Sequence, residues 1–418
     1  MTCVTRIIAA MHASDSPPFA APVLIVGGGL VGASLAIALD TAGCAVTLVE
    51  AAAPRVDTQP SYDERNLALA RATVNGLTSI GVWRHAADRA TPIRHIHVSR
   101  SGEFGSVRMD AERQGVDALG WTLPARELGQ ALLRRLDECR HLTRLAPATL
   151  RSLQSQADGW LAHIDTPEGP RQLHAKLVVG ADGTQSFVRE QLDIPAESLD
   201  YEQTLFVCTV TPEREHGNRA FERFADNGPI ALLPLAERRC GLVLTVPAEE
   251  ADEVASMDDE RFIALAQERF GWRLGRLSRP GKRYPYAIHR VAAERLVGAR
   301  AVLVGNAAQT VHPIGAQGFN LGLRDALTLS ELIAEAGDPG DAALLRRYAE
   351  RRAEDREGTM AMSHGLVRLA CLQQPLLGPL RSLAMLACDR LPPLQDLLAR
   401  RGMGFRGQPP RAVLERLP

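Results

Sequence analysis

Three glycines in the spacing Gly27-x-Gly29-x-x-Gly32 separate the apolar run Val23-Leu24-Ile25-Val26 from an apolar helical stretch over 30–42. This pattern suits the binding of a pyrophosphate. Gly27 permits a sharp turn, Gly29 lets the backbone approach the phosphates, and Gly32 lets the helix pack closely on the strand. The start of the helix adds unbonded N–H groups and a partial positive charge. Glu50 follows the next apolar run, 45–49, where a carboxylate can accept hydrogen bonds from both hydroxyls of a ribose and disfavours a 2′-phosphate. The pattern by itself serves FAD and NAD equally.

Two later segments also place polar chemistry on a glycine turn. Lys176-Leu177-Val178-Val179 runs into Gly180-Ala181-Asp182-Gly183-Thr184-Gln185-Ser186, with Arg189 beyond. Ala301-Val302-Leu303-Val304 runs into Gly305-Asn306-Ala307-Ala308, then His312-Pro313 and Gln317-Gly318-Phe319-Asn320. Gly183 is suited to a turn conformation that only glycine adopts easily.

The elements that must position these residues follow from the patterning. The first motif reads strand, tight turn, helix, strand, which is a βαβ unit in a parallel sheet. The second and third each follow a buried strand and open a helix, the last at about Leu321. The 418 residues are too many for one simple core and imply two or three packed units. A hydrophobic fraction of 45%, a charged fraction of 23% and a net charge of -1 fit a soluble globular protein with no nucleic-acid surface. No apolar run is long enough to span a bilayer. Seven scattered cysteines without a CxxC pair imply a reducing compartment, no disulfide framework and no structural zinc. The N-terminus is a poor signal peptide, and 12–21 reads as a loose leader, so the expected location is cytoplasmic.

The ordered triple of GxGxxG, GADGxxSxxR and G[D/N]AA…P…QGxN resembles the class A flavoprotein aromatic hydroxylases of the p-hydroxybenzoate hydroxylase type. The resemblance covers roughly residues 20 to 405. Asp63-Glu64-Arg65-Asn66-Leu67-Ala68-Leu69 resembles the DxRxxAL segment of the ubiquinone-biosynthesis hydroxylases. Gly305-Asn306-Ala307-Ala308-Gln309-Thr310-Val311-His312-Pro313, with Tyr201-Glu202-Gln203 and Met403-Gly404, is similar to the 2-polyprenyl-6-methoxyphenol hydroxylase branch. Two positions depart from the class. Asn306 replaces the usual Asp, and Gly315-Ala316-Gln317-Gly318 stands where relatives often have Ala-Gly-Gln-Gly.

The resemblance implies a Rossmann-like α/β FAD-binding domain, an inserted β-sheet substrate domain and C-terminal helices. It implies FAD held by Gly27, Gly29, Gly32, Glu50, Arg65, Arg126, Asp182, Gly183, Asn306, Pro313, Gln317, Gly318 and Asn320. Arg126 would reach the FAD phosphates, and the helix opening at the third motif would stabilise negative charge on a reduced flavin. Arg65 has two readings, a cofactor contact or a surface ion pair with Asp63 or Glu64. Asp182 would lie near FAD and the NAD(P)H pyrophosphate in a partly structural role. His312 reads as a packed loop residue rather than a catalytic one, and no catalytic side chain is assigned. The implied reaction uses NAD(P)H as a transient co-substrate and O2 through a flavin C4a-hydroperoxide to hydroxylate a prenylated phenol in ubiquinone synthesis. The alternatives are another ring position, a soluble aromatic substrate, or a non-hydroxylating FAD reductase.

The expected organisation is a flexible leader over 1–20 and an FAD-binding domain over 21–88, 112–198 and 283–345. The substrate domain takes 89–111 and 199–282, a C-terminal helical region 346–405, and a tail 406–418. The stretch 366–388 is apolar, broken by Pro375 and Pro379, and carries Arg368 and Arg381. Its two readings are packing against the FAD domain, or a peripheral contact with the inner membrane face or a biosynthetic complex. A homo-oligomer is left open.

Overall fold

In a computed structural model, residues 19–53, 63–371 and 377–414 are described. The expected leader lies outside them up to residue 18, as does Pro375, and nothing is described of the Arg368 side chain. The first strand, Phe19–Val26, begins inside the expected leader because Phe19, Ala20 and Ala21 pair in parallel with Leu173, His174 and Ala175.

Five strands make the parallel core of the first sheet, in the order Ala301–Leu303, Gly169–Gly180, Phe19–Val26, Val46–Val49, Leu142–Leu145. Buried on both faces, these strands read as continuous apolar runs. In Val46–Val49 every residue is buried. The helix Leu30–Thr41 is buried over almost its whole circumference, between this sheet and the helix Gln317–Ala334. The register aligns Val26 with Gly180 and Gly180 with Leu303. All three glycine motifs therefore leave the carboxyl edge of adjacent strands, the edge where open α/β sheets bind ligands.

The second sheet is mainly antiparallel. Its order is Gln309–Thr310, Tyr284–Ala293, Ala196–Pro212, Cys240–Pro247, Ile230–Pro234, Arg219–Phe224, His95–Arg100, Ser106–Asp110. Tyr284–Ala293 belongs to this sheet although 283–345 was expected with the FAD domain. Its register with Ala196–Pro212 runs from Tyr284–Val207 to Ala293–Ala196. One face packs through Phe206, Leu232, Leu242 and Leu244 on Phe262 and Phe270 of the helix Asp259–Phe270. The opposite face turns toward the third glycine loop.

A small sheet of Asn66–Ala70, Gly120–Pro124 and Thr91–Ile93 lies between the two. Helices Ala342–Cys371, Leu377–Arg390 and Pro392–Gly402 follow. The expected tail is instead partly core. Arg411–Leu414 is a helical turn, Val413 is fully buried, and its carbonyl accepts from Asn75 Nδ2 at 2.9 Å. Val413 over the small helix Arg71–Ser79, with Arg411 paired to Glu335 at 2.9 Å, holds this segment down.

Candidate active site

The first loop is shaped by backbone crowding. Gly27 has φ +102°, and a Cβ there would lie 2.5 Å from the carbonyl oxygen of Ala181. A Cβ on Gly32 would lie 1.9 Å from the carbonyl oxygen of Gly27. A side chain at Gly27 would push the first and second loops apart, and one at Gly32 would push the helix off the first turn. Gly29 is the N-cap of Leu30–Thr41 and no side chain caps this helix, whose first turn carries no acid. The first-turn N–H groups thus face the loop without an intrahelical partner. Glu50 accepts from Gly28 N at 2.5 Å and from Ala52 N at 2.7 Å, which holds its carboxylate beside the cradle. The helix start, glycine cradle and ribose-facing acid together fit the diphosphate and ribose of a dinucleotide.

Asp182 is engaged by the protein through both carboxylate oxygens. Its Oδ1 accepts from Ser186 Oγ at 2.5 Å and its Oδ2 from Val188 N at 2.9 Å, fixing the start of the short helix Phe187–Gln191. Burial pushes its carboxyl above the ordinary range, against these hydrogen bonds. Gly183 has φ +87°. Arg189 donates to the carbonyls of Ala307, at 2.9 Å, and Thr184, at 3.0 Å, so it ties the second motif to the third.

In the third motif Asn306 is exposed at the loop surface, while Gly305 and Ala307 are buried beside it. His312 is 1% exposed. Its Nδ1 accepts from Ile314 N at 3.2 Å, so Nε2 carries the proton toward Gln203 Oε1, also at 3.2 Å. Burial drives its pKa down to about 4, and the ring is neutral. Pro313 and Gln317 shape the turn, with Gln317 Nε2 donating to the Gly315 carbonyl at 2.8 Å. Ala316 adopts φ 52° and ψ 40°, a left-handed conformation that costs an alanine roughly 1 kcal/mol. A Cβ on Gly318 would meet open space. The helix begins at Gln317, four residues before the expected start, and its first turn holds no acidic residue.

Asn320 is turned into the protein. It is 2% exposed and makes four hydrogen bonds. Its Oδ1 accepts from Ala70 N at 2.9 Å and Thr73 Oγ1 at 2.6 Å; its Nδ2 donates to the carbonyls of Ala68, at 2.9 Å, and Ala316, at 2.7 Å. It thereby fastens the Asp63–Leu69 segment to the third loop. Arg65 pairs with Asp63 at 2.7 Å and lies 5.4 Å from the centroid of the Tyr286 ring. Arg126 pairs with Glu64 at 2.6 Å. Both arginines stand at one rim, partly exposed, in ion pairs that a phosphate could replace.

Several positioning residues are not singled out by sequence motifs. Asp325 accepts from Gly305 N at 3.2 Å, Gln309 Nε2 at 2.7 Å and Arg352 Nε at 2.7 Å. Arg324 pairs with Asp355 through Nε at 2.7 Å and Nη2 at 3.1 Å, and Arg352 approaches Asp355 at 2.8 Å. All four charges are at most 1% exposed. Gln309 Oε1 accepts from Arg356 Nε at 3.0 Å. Gln309 in Gly-Asn-Ala-Ala-Gln is thus the link between the cofactor loop and a buried charge cluster. Gly404, at φ +90°, leaves room for Arg324, whose Nη1 would lie 3.2 Å from a Cβ there. The available signal was a pair of charges, Arg324 and Asp325, inside the apolar helical run 321–333.

The fold is that of p-nitrophenol 4-monooxygenase PnpA from Pseudomonas putida, with a TM-score of 0.78 at 19% identity over 94% of this chain and all of that one. The chain is an FAD-dependent monooxygenase of the p-hydroxybenzoate hydroxylase type, with FAD as cofactor. The chain belongs to the FAD binding domain family, which matches residues 20–363. It is 38% identical to ubiquinone hydroxylase UbiL of Rhodospirillum rubrum over 94% of this chain and 92% of that protein. It is 33% identical to 3-demethoxyubiquinol 3-hydroxylase of Escherichia coli over 80% of this chain and 85% of that protein.

Proposed function

We propose that this protein hydroxylates the ring of a polyprenylated methoxyphenol in ubiquinone biosynthesis, using NAD(P)H and O2. The observation that carries the reading is 38% identity to a ubiquinone hydroxylase along nearly the whole chain. When bound, FAD supplies the electron transfer and oxygen activation that no side chain provides. The protein's part is to hold the dinucleotide in the glycine cradle, to orient the phenol against the inner face of the second sheet, and to keep water away from the reacting carbon. Glu50 serves the ribose, and Arg65 and Arg126 exchange their present carboxylate partners for the cofactor's rim.

A long prenyl tail needs an apolar route from the membrane, and no helix among the described residues is long and apolar enough to cross one. The C-terminal helices supply a surface suited to lying on it. Leu380, Leu383, Leu386, Leu391, Leu394 and Leu397 are between 37% and 62% exposed. Arg390, Arg400 and Arg401 are exposed beside them. Leucines that dip into the headgroup boundary, flanked by arginines that meet anionic lipid, favour peripheral binding.

The name of the Escherichia coli relative favours a second reading, hydroxylation at another carbon of the same ring. Mass spectrometry of quinone lipids from a strain lacking the gene separates the two. The primary reading predicts loss of ubiquinone with accumulation of a prenylated methoxyphenol. Accumulation of a later demethoxy intermediate supports the second reading, and normal ubiquinone in a strain without a redundant hydroxylase overturns both.

A further inference from the structure

The inner face of the second sheet carries one cross-strand row that passes over the cofactor loop. Its pairings run Val107–Val98, Val98–Glu222, Glu222–Ala231, Ala231–Val243 and Val243–Val207. Paired residues in neighbouring strands share a face, so these six side chains stand on one side. The adjacent row, His97, Phe221, Leu232, Leu242 and Cys208, points the other way, and Phe221, Leu232, Leu242 and Cys208 pack among the helix Asp259–Phe270.

Three contacts fix the first side as the cofactor side. Phe224, two residues beyond Glu222, clusters with Ile314 of the third loop, Val98 and Tyr201. Tyr286 Oη reaches Asp63 Oδ2 at 3.3 Å. A Cβ on Gly241 would meet the Asn66 side chain at 2.6 Å. Glu222 is the one charged residue of an otherwise aliphatic row. Glu222 as a residue is half-buried, and its carboxyl is the buried end. Among the described residues no hydrogen bond or ion pair engages it, unlike the many carboxylates that are paired. The residues beside it in register, Val98 and Ala231, carry no charge, and His312 of the third loop is neutral and engaged with Gln203.

We infer that Glu222 is the base that accepts the phenolic proton of the substrate. This rests on the hydroxylase reading above. The phenol O–H bond breaks, its electron pair stays on oxygen, and the proton moves to a Glu222 carboxylate oxygen. The resulting phenolate enriches the ring carbons ortho and para to it, where the new oxygen must be placed. The proton leaves to water when product exits, which restores the carboxylate. A lone acid on an apolar wall is costly unless it is used. Burial pushes Glu222 up to about 7, a value at which it is half ionised near neutrality and basic enough to take part in proton transfer from a phenol of about 10.

The test uses the FAD-loaded protein, NADPH and a short-chain prenylated methoxyphenol as probe. Product formed per NADPH consumed is followed across pH 5.5 to 9.5 for the wild type, Glu222→Gln and Glu222→Asp, together with flavin absorbance. The inference expects Glu222→Gln to retain flavin and to oxidise NADPH while product formation falls about 100-fold or more. It expects the remaining activity to lose its limb near pH 7 and to rise instead with the ionisation of the phenol itself. Glu222→Asp should keep the limb. A Glu222→Gln protein with wild-type coupling and an unchanged profile overturns the inference alone. A wild type that forms no product from any phenol overturns the hydroxylase reading and the inference with it.

Discussion

Asn320 makes four hydrogen bonds from a side chain that meets almost no solvent, and all four go to protein groups. Its carbonyl takes two donors from the Asn66–Ala70 strand and the helix after it, and its amide gives one proton to a carbonyl of that strand and one to a carbonyl of the third loop. Replacing it by alanine strands two donors and two acceptors in the interior, each costing about 1 kcal/mol or more. Asn320→Ala should therefore lower the thermal midpoint of the holoprotein and release FAD at dilutions where the wild type keeps it, as read by flavin fluorescence. Retention of FAD with an unchanged midpoint would show that the loop is held elsewhere. The motif named this residue, but only the packing showed what it does. A polar residue in QGxN has the same sequence signature whether it touches ligand or backbone. Asp182 is a parallel case, with both carboxylate oxygens taken by its own helix.

The helices Gln317–Ala334 and Ala342–Cys371 meet through Arg324, Asp325, Arg352 and Asp355, and Asp325 carries that contact into the Gly305 turn. Burial works against the Asp355 carboxylate, but Arg324 and Arg352 outweigh it and hold its pKa below the ordinary range. A carboxylate depressed in the folded state stabilises the fold fully above its unfolded value of about 3.9, and the contribution is lost as pH falls through the lower folded value. Asp355→Asn should cost about 3 kcal/mol or more near neutrality, because two buried guanidinium groups lose their shared partner. The penalty should shrink only below about pH 4. Urea midpoints of both proteins between pH 3 and pH 7 check this; an equal shift at every pH would place the loss in packing rather than charge. The parallel strands and three turns were legible because apolar runs ending in glycine have few other uses. The ion cluster was not, since charges 27 to 31 residues apart become neighbours only when two helices cross.

The assembly places one sheet's carboxyl edge against the inner face of another, and this division follows from two periodicities in the chain. Continuous apolar runs build the parallel sheet, and alternating runs from Leu205 to Val246 build a wall with one face for its own core and one turned toward the third glycine loop. Alternation made that wall legible in sequence, but not which face looks at the cofactor, so Glu222 carried no signal beyond being an acid in a strand. The boundary at 283 was misplaced for a related reason. Tyr284–Ala293 joins the wall by antiparallel pairing with a strand more than seventy residues earlier, and no local pattern announces such a partner. Val413 likewise turned an expected tail into core through one side chain. The central claim is that this cofactor edge and this wall place one atom of O2 on a prenylated phenol. The most direct measurement is turnover of the FAD-loaded protein with a short-chain prenylated methoxyphenol, NADPH and 18O2, read by mass spectrometry. The expected product carries one 18O atom in a new ring hydroxyl, in proportion to NADPH consumed. NADPH consumed with all oxygen recovered as hydrogen peroxide, and no labelled product, would contradict it.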